Sequence, residues 1–435
     1  MKTKKRWIAY TAIGLVAALL LTAIGLAIYY ISIMNQTLDQ VTTPARPKAV
    51  FSVYVLTADR AESIQDTLGY PYGISSADGK LEAMEQTLVQ IEEVLGERPA
   101  VDTYENLFAL VDELRDQRSR AIILDEAYTA SIAEAEGYDW TAQGIRRVAS
   151  YTIQEEEKGE ADTAQSDTEA VLPADIPQAF TMYVSGIDTF GGLATRARSD
   201  VNILLTVNTR SKEIFMLATP RDYYVDFSIT GNAKDKLAHA GIHGVEASID
   251  ALQRLYGIDI DYYLRMNFAG FVDIIDALGG IEVYSEYDFT VKNIRDYHKG
   301  YNQLTGLEAL AFARERLSFP TGDYQRAKHQ MEVIRAVITK CASPAILKNY
   351  RSVMEAIGGS FETNMPQDQI SSLVKMQLFD NKKWNFTSFT VDGTSAFRPT
   401  YSAPGRDLYV ILPSPDAVRQ AVEMMEAVRQ PTGED

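Results

Sequence analysis

An uncharged apolar segment near the start of the chain most strongly constrains its fold. Residues 7–34 contain no charged side chain, and four of the five residues at positions 2–6 are basic. A segment of this length and polarity is long enough to cross a bilayer as one tilted helix. Because basic flanks stay on the cytoplasmic side, residues 1–40 are predicted to form a cytoplasmic tip and one N-terminal transmembrane helix, which places all later residues outside the cytoplasm. A cleaved signal peptide is the alternative, but the apolar run exceeds a usual signal core and no small-residue cleavage site follows it.

The composition argues against nucleic acid as a partner. The 435 residues carry a formal net charge of -17, whereas a surface that binds phosphate backbones needs a basic excess. Any anion binding must therefore be local. Cys341 is the only cysteine, so no intrachain disulfide can form. For a protein predicted to be exported, this favours the surface of a Gram-positive bacterium over an oxidising lumen.

An acidic, proline-containing stretch predicts a domain boundary. Residues 155–177 contain too few apolar side chains to order themselves and are predicted to be a solvated linker. The linker separates a smaller unit, residues 41–154, from a larger one, residues 178–435. In the smaller unit, a strand-like run at residues 50–56 precedes two helices with apolar residues at three- and four-residue spacing. This unit is predicted to be a small α+β accessory domain with no chemical site of its own.

The larger unit alternates between strand-like and helical segments. Strands are predicted at residues 179–187, 201–208, 214–219, 281–284 and 384–391. Helices are predicted at residues 245–256, 268–278, 323–340, 345–357, 366–378 and 415–429. This alternation predicts an α/β fold in which a central mixed sheet is covered by helices on both faces.

Acidic and basic residues gather at the margins of these predicted strands. Asp188 ends one strand and Asp200 begins the next, so a short loop could bring both carboxylates to one divalent metal. Arg314 and Arg316 are two residues apart and would face the same way in extended backbone. A hard cation and guanidinium groups both neutralise phosphate oxygens. The pattern therefore indicates a phosphoryl-transfer site.

Ordinary structural roles remain open for the same residues. Asp188 and Asp200 could be turn or cap residues, as many aspartates at strand ends are. Arg314 and Arg316 could lie on a solvated helix face. Lys236 is interpreted as a surface residue, because a lone lysine before Leu237-Ala238-His239 is more often at the surface.

Two further patterns give weak chemical signals. His239 and His243 have a spacing that could hold zinc, but the sequence provides no third ligand near them. A general base does not stand out either. Asp222 is a candidate only because it adjoins Arg221.

Six motifs in order carry a resemblance to a known family. They are Ser185-Gly186-Ile187-Asp188, Arg198-Ser199-Asp200, Pro220-Arg221-Asp222, Val272-Asp273 to Leu278-Gly279-Gly280, Arg314-Glu315-Arg316, and Gly322-Asp323 to Arg326 and Gln330. Over about residues 180–340 the sequence resembles the LytR-CpsA-Psr family. The extra unit ahead of this region resembles the capsule-operon CpsA branch of that family.

The resemblance implies a membrane-anchored phosphotransferase. Such enzymes move a glycopolymer, here expected to be capsular polysaccharide, from a polyprenyl pyrophosphate carrier to a hydroxyl of peptidoglycan, with Mg²⁺ or Mn²⁺ assisting. The implied partners are the lipid-linked glycopolymer, peptidoglycan and the membrane, and capsule-synthesis proteins could contact the accessory domain. Two other functions remain open: a regulatory or sensor protein of capsule or cell-wall synthesis, and a non-catalytic module that binds polyprenyl pyrophosphate.

The resemblance also implies roles for individual residues. Asp188 and Asp200 would be the metal ligands. The residues expected to bind pyrophosphate are Arg198, Arg221, Arg314, Arg316, Arg326 and Gln330. The residues expected to be catalytic are Arg221, Asp222, Arg314 and Arg316. Leu252, Phe268 and Phe271 lie on two predicted helices and are expected to contact the lipid.

The sequence departs from the family at two positions. Phe190 and His329 stand where many members have arginine, so phosphate binding would rest on fewer guanidinium groups here. An imidazole at position 329 could titrate near neutral pH and make binding pH-dependent.

Overall fold

The computed structural model describes residues 48–76, 81–154, 176–187, 196–343, 353, 360–380 and 382–430. The predicted membrane segment, most of the predicted linker, most of the predicted helix at residues 345–357, and Asp188 lie outside these residues. Within the part of the chain that the structure describes, no helix has both the length and the apolar character needed to cross a membrane.

Residues 48–154 build a five-stranded sheet. Its strands are β1 (Lys48–Leu56), β2 (Tyr72–Ser75), β3 (Val101–Tyr104), β4 (Ala121–Asp125) and β5 (Ile145–Gln154). The spatial order is β3-β2-β4-β1-β5, with β1 antiparallel to β4 and β5, and β2 parallel to β3 and β4.

Four α-helices accompany this N-terminal sheet. They are α1 (Leu81–Leu95), α2 (Leu107–Arg115), α3 (Glu126–Ala133) and α4 (Thr141–Gly144). The apolar stripe of α1 packs on one face of the sheet, and α2 and α3 pack on the other. The Asp125 carboxylate accepts a hydrogen bond from the Ala127 amide at 3.0 Å, which caps the start of α3. The strand and the two helices predicted for this region are confirmed.

The C-terminal part contains a six-stranded sheet with the spatial order β16-β11-β6-β7-β8-β17. Its strands are β6 (Ala179–Ile187), β7 (Ser199–Asn208), β8 (Glu213–Ala218), β11 (Tyr262–Met266), β16 (Phe361–Thr363) and β17 (Asn385–Thr390). The pairs β6–β11 and β8–β17 are parallel, and the remaining pairs are antiparallel. The predicted mixed sheet is therefore confirmed.

Helices cover both faces of the six-stranded sheet. The helices of this part are α5 (Leu237–Ala240), α6 (Val245–Tyr256), α7 (Phe268–Ala277), α8 (Gly306–Arg314), α9 (Asp323–Cys341), α10 (Gln367–Asp380) and α11 (Pro415–Arg429). The apolar faces of α6 and α11 pack against one side of the sheet, and those of α9 and α10 against the other. The α/β layering predicted from the sequence is thus present.

The structure also contains several small ladders. They are β9 (Tyr224–Asp226) with β10 (Lys234–Lys236), β12 (Ile281–Ser285) with β15 (Gly300–Leu304), β13 (Phe289–Val291) with β14 (Arg295–Tyr297), and β18 (Gly393–Thr400) with β19 (Ala403–Pro413). The strand predicted at residues 281–284 is confirmed as β12, whereas its pairing and the other ladders did not follow from the sequence. Most residues of β18 are exposed, so this strand lacks the apolar alternation that marks a half-buried strand.

The two sheets are joined through a shared hydrophobic core. Ile242, Ala403 and Leu408 are at most 2% exposed and belong to the same cluster as the buried residues of α2 and α3. Arg406 donates a hydrogen bond to the Tyr138 hydroxyl at 2.5 Å across the same boundary. This packing fixes the C-terminal end of α3 beside the six-stranded sheet.

Candidate anion-binding site

Three strand ends meet at one edge of the six-stranded sheet. Ile187, the last residue of β6, pairs with Ser199, the first residue of β7. The neighbouring strand β8 ends at Ala218, which pairs with Ile203 near the start of β7. Arg198 and Asp200, at the start of β7, are thus brought close to the loop that follows β8. Antiparallel pairing, which only the fold reveals, produces this convergence.

Arg221 lies at the centre of the resulting cluster. Its Nη1 is 3.1 Å from both carboxylate oxygens of Asp200, and its Nη2 is 3.4 Å from Oε1 of Glu134. Only 12% of its side chain is exposed. Burial alone would lower the pKa of Arg221, but Asp200, Asp222 and Glu134 together hold it above its usual value. Arg221 is therefore a buried, permanently charged guanidinium group.

Two residues of the cluster were not predicted as site residues. Glu134 follows α3, and its Oε1 accepts a hydrogen bond from Arg198 Nη1 at 2.7 Å. Its Oε2 is 3.3 Å from Nζ of Lys236. The interpretation of Lys236 as a surface residue is wrong, because only 6% of its side chain is exposed. Both residues arrive from distant parts of the chain. Lys236 aligns with a lysine common in the family that the sequence resembles, which is a signal for a site, whereas the sequence around Glu134 carries none.

Asp222 is held between two cations. Its Oδ1 is 3.1 Å from Lys236 Nζ, and its Oδ2 is 3.7 Å from Arg221 Nε. Only 6% of its side chain is exposed. These contacts support a role for Asp222 in positioning the two cations, whereas the sequence suggested it as a catalytic base.

A second group of arginines borders this cluster at the start of α9. Arg326 Nη2 and Arg316 Nη1 lie 3.3 and 3.6 Å from the same oxygen of Asp323. Burial lowers the pKa of Arg326, and the like charges of Arg221 and Arg316 lower it further, although Asp323 and Asp200 oppose the change. Arg326 is therefore a buried guanidinium group with like charges nearby.

Arg314 and Arg316 lie on either side of a helix end. Arg314 is the last residue of α8, and extended backbone begins only at Glu315. The guanidinium carbon of Arg314 lies 4.3 Å above the centre of the Phe268 ring, a cation–π contact. Of the two conformations that the sequence left open, neither holds for both arginines, because the helix continues to Arg314 and ends there. Gln330 donates to the carbonyl of Ala313 at 3.4 Å and so ties α9 to the end of α8.

The three predicted lipid contacts lie in different surroundings. Leu252 is 0% exposed within the core between α6 and the sheet, so it has no surface that a lipid could contact. Phe268 and Phe271 are partly exposed on α7, where only Gly270 and Ile275 are buried. The apolar stripe of α6 thus forms ordinary core, whereas α7 presents apolar side chains at the surface.

His329 is a core residue and not a pH sensor near neutrality. Its ring stacks on Phe312 with centroids 4.1 Å apart, and 2% of the residue is exposed. Burial lowers its pKa to about 4, despite a hydrogen bond from the ring to the Phe312 carbonyl. The expectation of titration near neutral pH is therefore wrong, because burial removes the water that would solvate the charged imidazole.

His239 likewise has structural partners. Its Nδ1 is 2.7 Å from Asp235 Oδ1 and 2.8 Å from Ser402 Oγ, and its Nε2 is 3.1 Å from Ser131 Oγ. His243 is near the Tyr401 ring, at a centroid distance of 6.1 Å. Within the described ranges, no group of three or more His, Cys, Asp or Glu side chains could hold a metal ion.

A metal at this edge would therefore depend on few protein ligands. Asp200 is in place there, with 20% of its side chain exposed, and Asp188 lies outside the described residues. Mg²⁺ is commonly held by one or two carboxylates together with substrate phosphates and waters. The chemistry of Asp200 fits that pattern.

A mixed sheet with buried guanidinium groups gathered at one edge defines an α/β protein with a cationic cluster suited to an anion. A comparison with models of protein families identifies the family. The model of the LytR_cpsA_psr family matches residues 147–409. The chain belongs to this family.

Two of the similar proteins are named as teichoic acid transferases. The chain is 36% identical over 197 residues to polyisoprenyl-teichoic acid–peptidoglycan teichoic acid transferase TagU of Bacillus cereus, which is 45% of this chain and 63% of the relative. The TagU protein of Enterococcus faecalis is 31% identical over 215 residues, 49% of this chain and 70% of the relative. The chain thus spans about three fifths of the length of the Bacillus relatives that it matches, 63% and 59% in two cases. The crystal structure of B. subtilis TagV is similar with a TM-score of 0.49 and 26% identity, covering 58% of this chain and 98% of that one.

Proposed function

We propose that this protein is a phosphotransferase that moves a glycopolymer from a polyprenyl pyrophosphate carrier to peptidoglycan. The observation that carries the proposal is the cluster of buried cations at the sheet edge, where burial and like charges lower the pKa of Arg326. Such a site is poised for an anion with several charges, because added negative charge would relieve the repulsion between its guanidinium groups. The names of the similar TagU proteins refer to a polyisoprenyl-linked polymer and to peptidoglycan, which supports the same substrate class.

The proposed reaction is a displacement at phosphorus. The acceptor hydroxyl of peptidoglycan attacks the phosphorus bonded to the glycan, and the bond from that phosphorus to the bridging oxygen of the pyrophosphate breaks. Polyprenyl phosphate leaves with the bond's electron pair, the hydroxyl proton is lost to solvent, and a phosphodiester joins glycan and acceptor. Negative charge grows on the transferred and leaving oxygens during this step.

The arginines would stabilise that charge. Arg221 and Arg326 are largely buried, with 12% of each side chain exposed, so their interaction with phosphate is weakly screened by water. Arg316 is more exposed, at 46% of its side chain, and lies on the open side of the cluster. A Mg²⁺ or Mn²⁺ ion bound by Asp200 and Asp188 would neutralise further phosphate oxygens.

We propose capsular polysaccharide as the polymer and the outer face of the cell membrane as the location. The extra five-stranded sheet at residues 48–154 lies almost entirely ahead of the matched family region, and it supports the first part because an added unit in that position resembles the capsule-operon CpsA branch. The uncharged run at residues 7–34 behind a basic flank supports an anchor with both sheets outside the cytoplasm. Transfer assays with carrier-linked capsular polysaccharide and with carrier-linked teichoic acid would separate the two polymers.

The experiment that tests the function is release of polyprenyl phosphate. Purified protein is incubated with a polyprenyl-pyrophosphate-linked glycan, peptidoglycan and Mg²⁺, and the released carrier is measured by mass spectrometry. We expect release by the wild type and loss of release in Arg221→Ala. Binding of the substrate without release would show that the protein is a non-catalytic binding module, and the proposal would be wrong.

A further inference from the structure

One carboxylate from the N-terminal sheet region occupies the cationic cluster of the C-terminal sheet. Glu134 contacts Arg198 at 2.7 Å, Lys236 at 3.3 Å and Arg221 at 3.4 Å. A phosphate group would contact the same three donors, because it too presents several oxygens to cations on different sides. The Glu134 carboxylate therefore lies where a phosphoryl group of the substrate is expected.

The charges explain why an anion is built in at this point. Arg198, Arg221 and Lys236 carry three positive charges, and the C-terminal part supplies two nearby carboxylates, Asp200 and Asp222. The side chains of Arg198 and Lys236 are only 8% and 6% exposed. Buried charges are costly unless they are paired, so a third anion stabilises the cluster before substrate arrives. Burial alone would raise the pKa of Glu134, but Arg198, Lys236 and Arg221 lower it to about 2, so the group remains an anion at physiological pH.

We propose that Glu134 is a resident counter-anion that competes with the substrate's phosphates for Arg198, Arg221 and Lys236. This inference rests on the proposed function. A substituted pyrophosphate carries about two negative charges, and a carboxylate left beside it would add like-charge repulsion. Binding of the substrate therefore displaces Glu134, and departure of the carrier lets it return.

The local structure permits this exchange. About 31% of the Glu134 side chain is exposed, so it has an open side towards solvent. The helix before it is held by the buried residues Ala127, Tyr128, Ser131 and Ile132. Rotation of one side chain is thus sufficient, and the two sheets need not move apart.

The competition has a consequence for turnover. The substrate presents two linked phosphoryl groups, whereas the leaving polyprenyl phosphate presents one. A single phosphate makes fewer contacts with the cluster and competes less well with a carboxylate tethered beside it. Glu134 accordingly favours release of the monophosphate product.

The test is anion binding by the full chain in detergent micelles. Inorganic pyrophosphate and inorganic phosphate are titrated calorimetrically into wild type, Glu134→Gln and the matched control Glu136→Gln, whose exposed carboxylate lies two residues further along the chain. We expect Glu134→Gln to bind pyrophosphate about tenfold more tightly than the wild type does. Its affinity for phosphate should rise by at least the same factor. This factor corresponds to the loss of one competing charged contact. Glu136→Gln should match the wild type.

A stability measurement separates competition from simple positioning. Without ligand, Glu134→Gln should unfold at a lower temperature than the wild type, and pyrophosphate should raise its unfolding temperature by a larger amount. If Glu134→Gln does not fold, Glu134→Asp is used. Aspartate keeps the negative charge, but its shorter side chain holds the carboxylate further from the three cations. It should tighten pyrophosphate binding less strongly.

The outcomes distinguish the inference from the function on which it rests. The inference would be wrong if Glu134→Gln bound pyrophosphate no more tightly than the wild type. If the wild type still bound pyrophosphate and Arg221→Ala did not, the phosphate site would remain supported. Absence of pyrophosphate binding in both the wild type and Glu134→Gln would overturn the inference and the phosphate site together.

Discussion

Replacing Arg221 by lysine should weaken pyrophosphate binding nearly as much as replacing it by alanine. The guanidinium group reaches two carboxylates at once, with Nη1 3.1 Å from Asp200 and Nη2 3.4 Å from Glu134. A lysine has one ammonium group on a flexible stem and cannot reproduce this planar fork. Loss of one charge-assisted contact costs roughly 1.5 to 3 kcal/mol, which raises the dissociation constant about ten- to more than a hundredfold.

The assay is calorimetric titration of pyrophosphate into the wild type, Arg221→Lys and Arg221→Ala, with circular dichroism to confirm that each variant folds. Arg419→Lys is the matched control, because Arg419 forms an exposed ion pair with Asp416 on α11 at 2.7 Å. Exposed pairs of this kind contribute little, so the control should bind as the wild type does. Wild-type affinity in Arg221→Lys would refute the idea that the fork geometry holds phosphate.

Three other perturbations test the metal, the core and the topology. Asp200→Asn should abolish Mg²⁺-dependent carrier release while the protein stays folded, because the amide keeps the shape but loses the charge that holds a hard cation; full activity would remove Asp200 from the metal site. The pKa of His329 falls from 6.5 to about 4 on folding, so the unfolded chain binds this proton more tightly than the folded protein does. The folded state therefore loses stability as the pH falls from 6.5 towards 4. Denaturant titrations should show that this group lowers the free energy of unfolding by about 2 kcal/mol between pH 7.5 and pH 5. This decrease should be absent in His329→Gln and retained in the exposed control His298→Gln. Protease added to intact protoplasts should digest residues 178–435, and their protection would contradict the proposed location of the acceptor.

Local periodicity was sufficient to predict much of the secondary structure. The predicted bounds at residues 179–187, 245–256 and 415–429 coincide with β6, α6 and α11. Each of these segments has apolar residues repeated at the spacing of a strand or helix, and each packs that face against the core. Strand β18 is mostly exposed and carries little such signal, so its pairing with β19 became visible only in the tertiary structure.

The candidate site shows the same division. The arginines and Asp200 could be identified because they lie in short motifs, where neighbouring residues carry the information. The contact between Glu134 and Lys236 could not, because the two residues are separated in sequence by 102 residues and meet only when α3 packs beside the six-stranded sheet.

The sequence by itself therefore determined the family, the α/β layering and the arginine motifs, all of which depend on residues near one another in the chain. Only the tertiary structure decided which charges are buried together, that Leu252 is core, and that burial keeps His329 neutral. Burial and pairing of charges depend on contacts between distant segments, and the free energy of a charged group is set by those contacts and not by its neighbours in sequence.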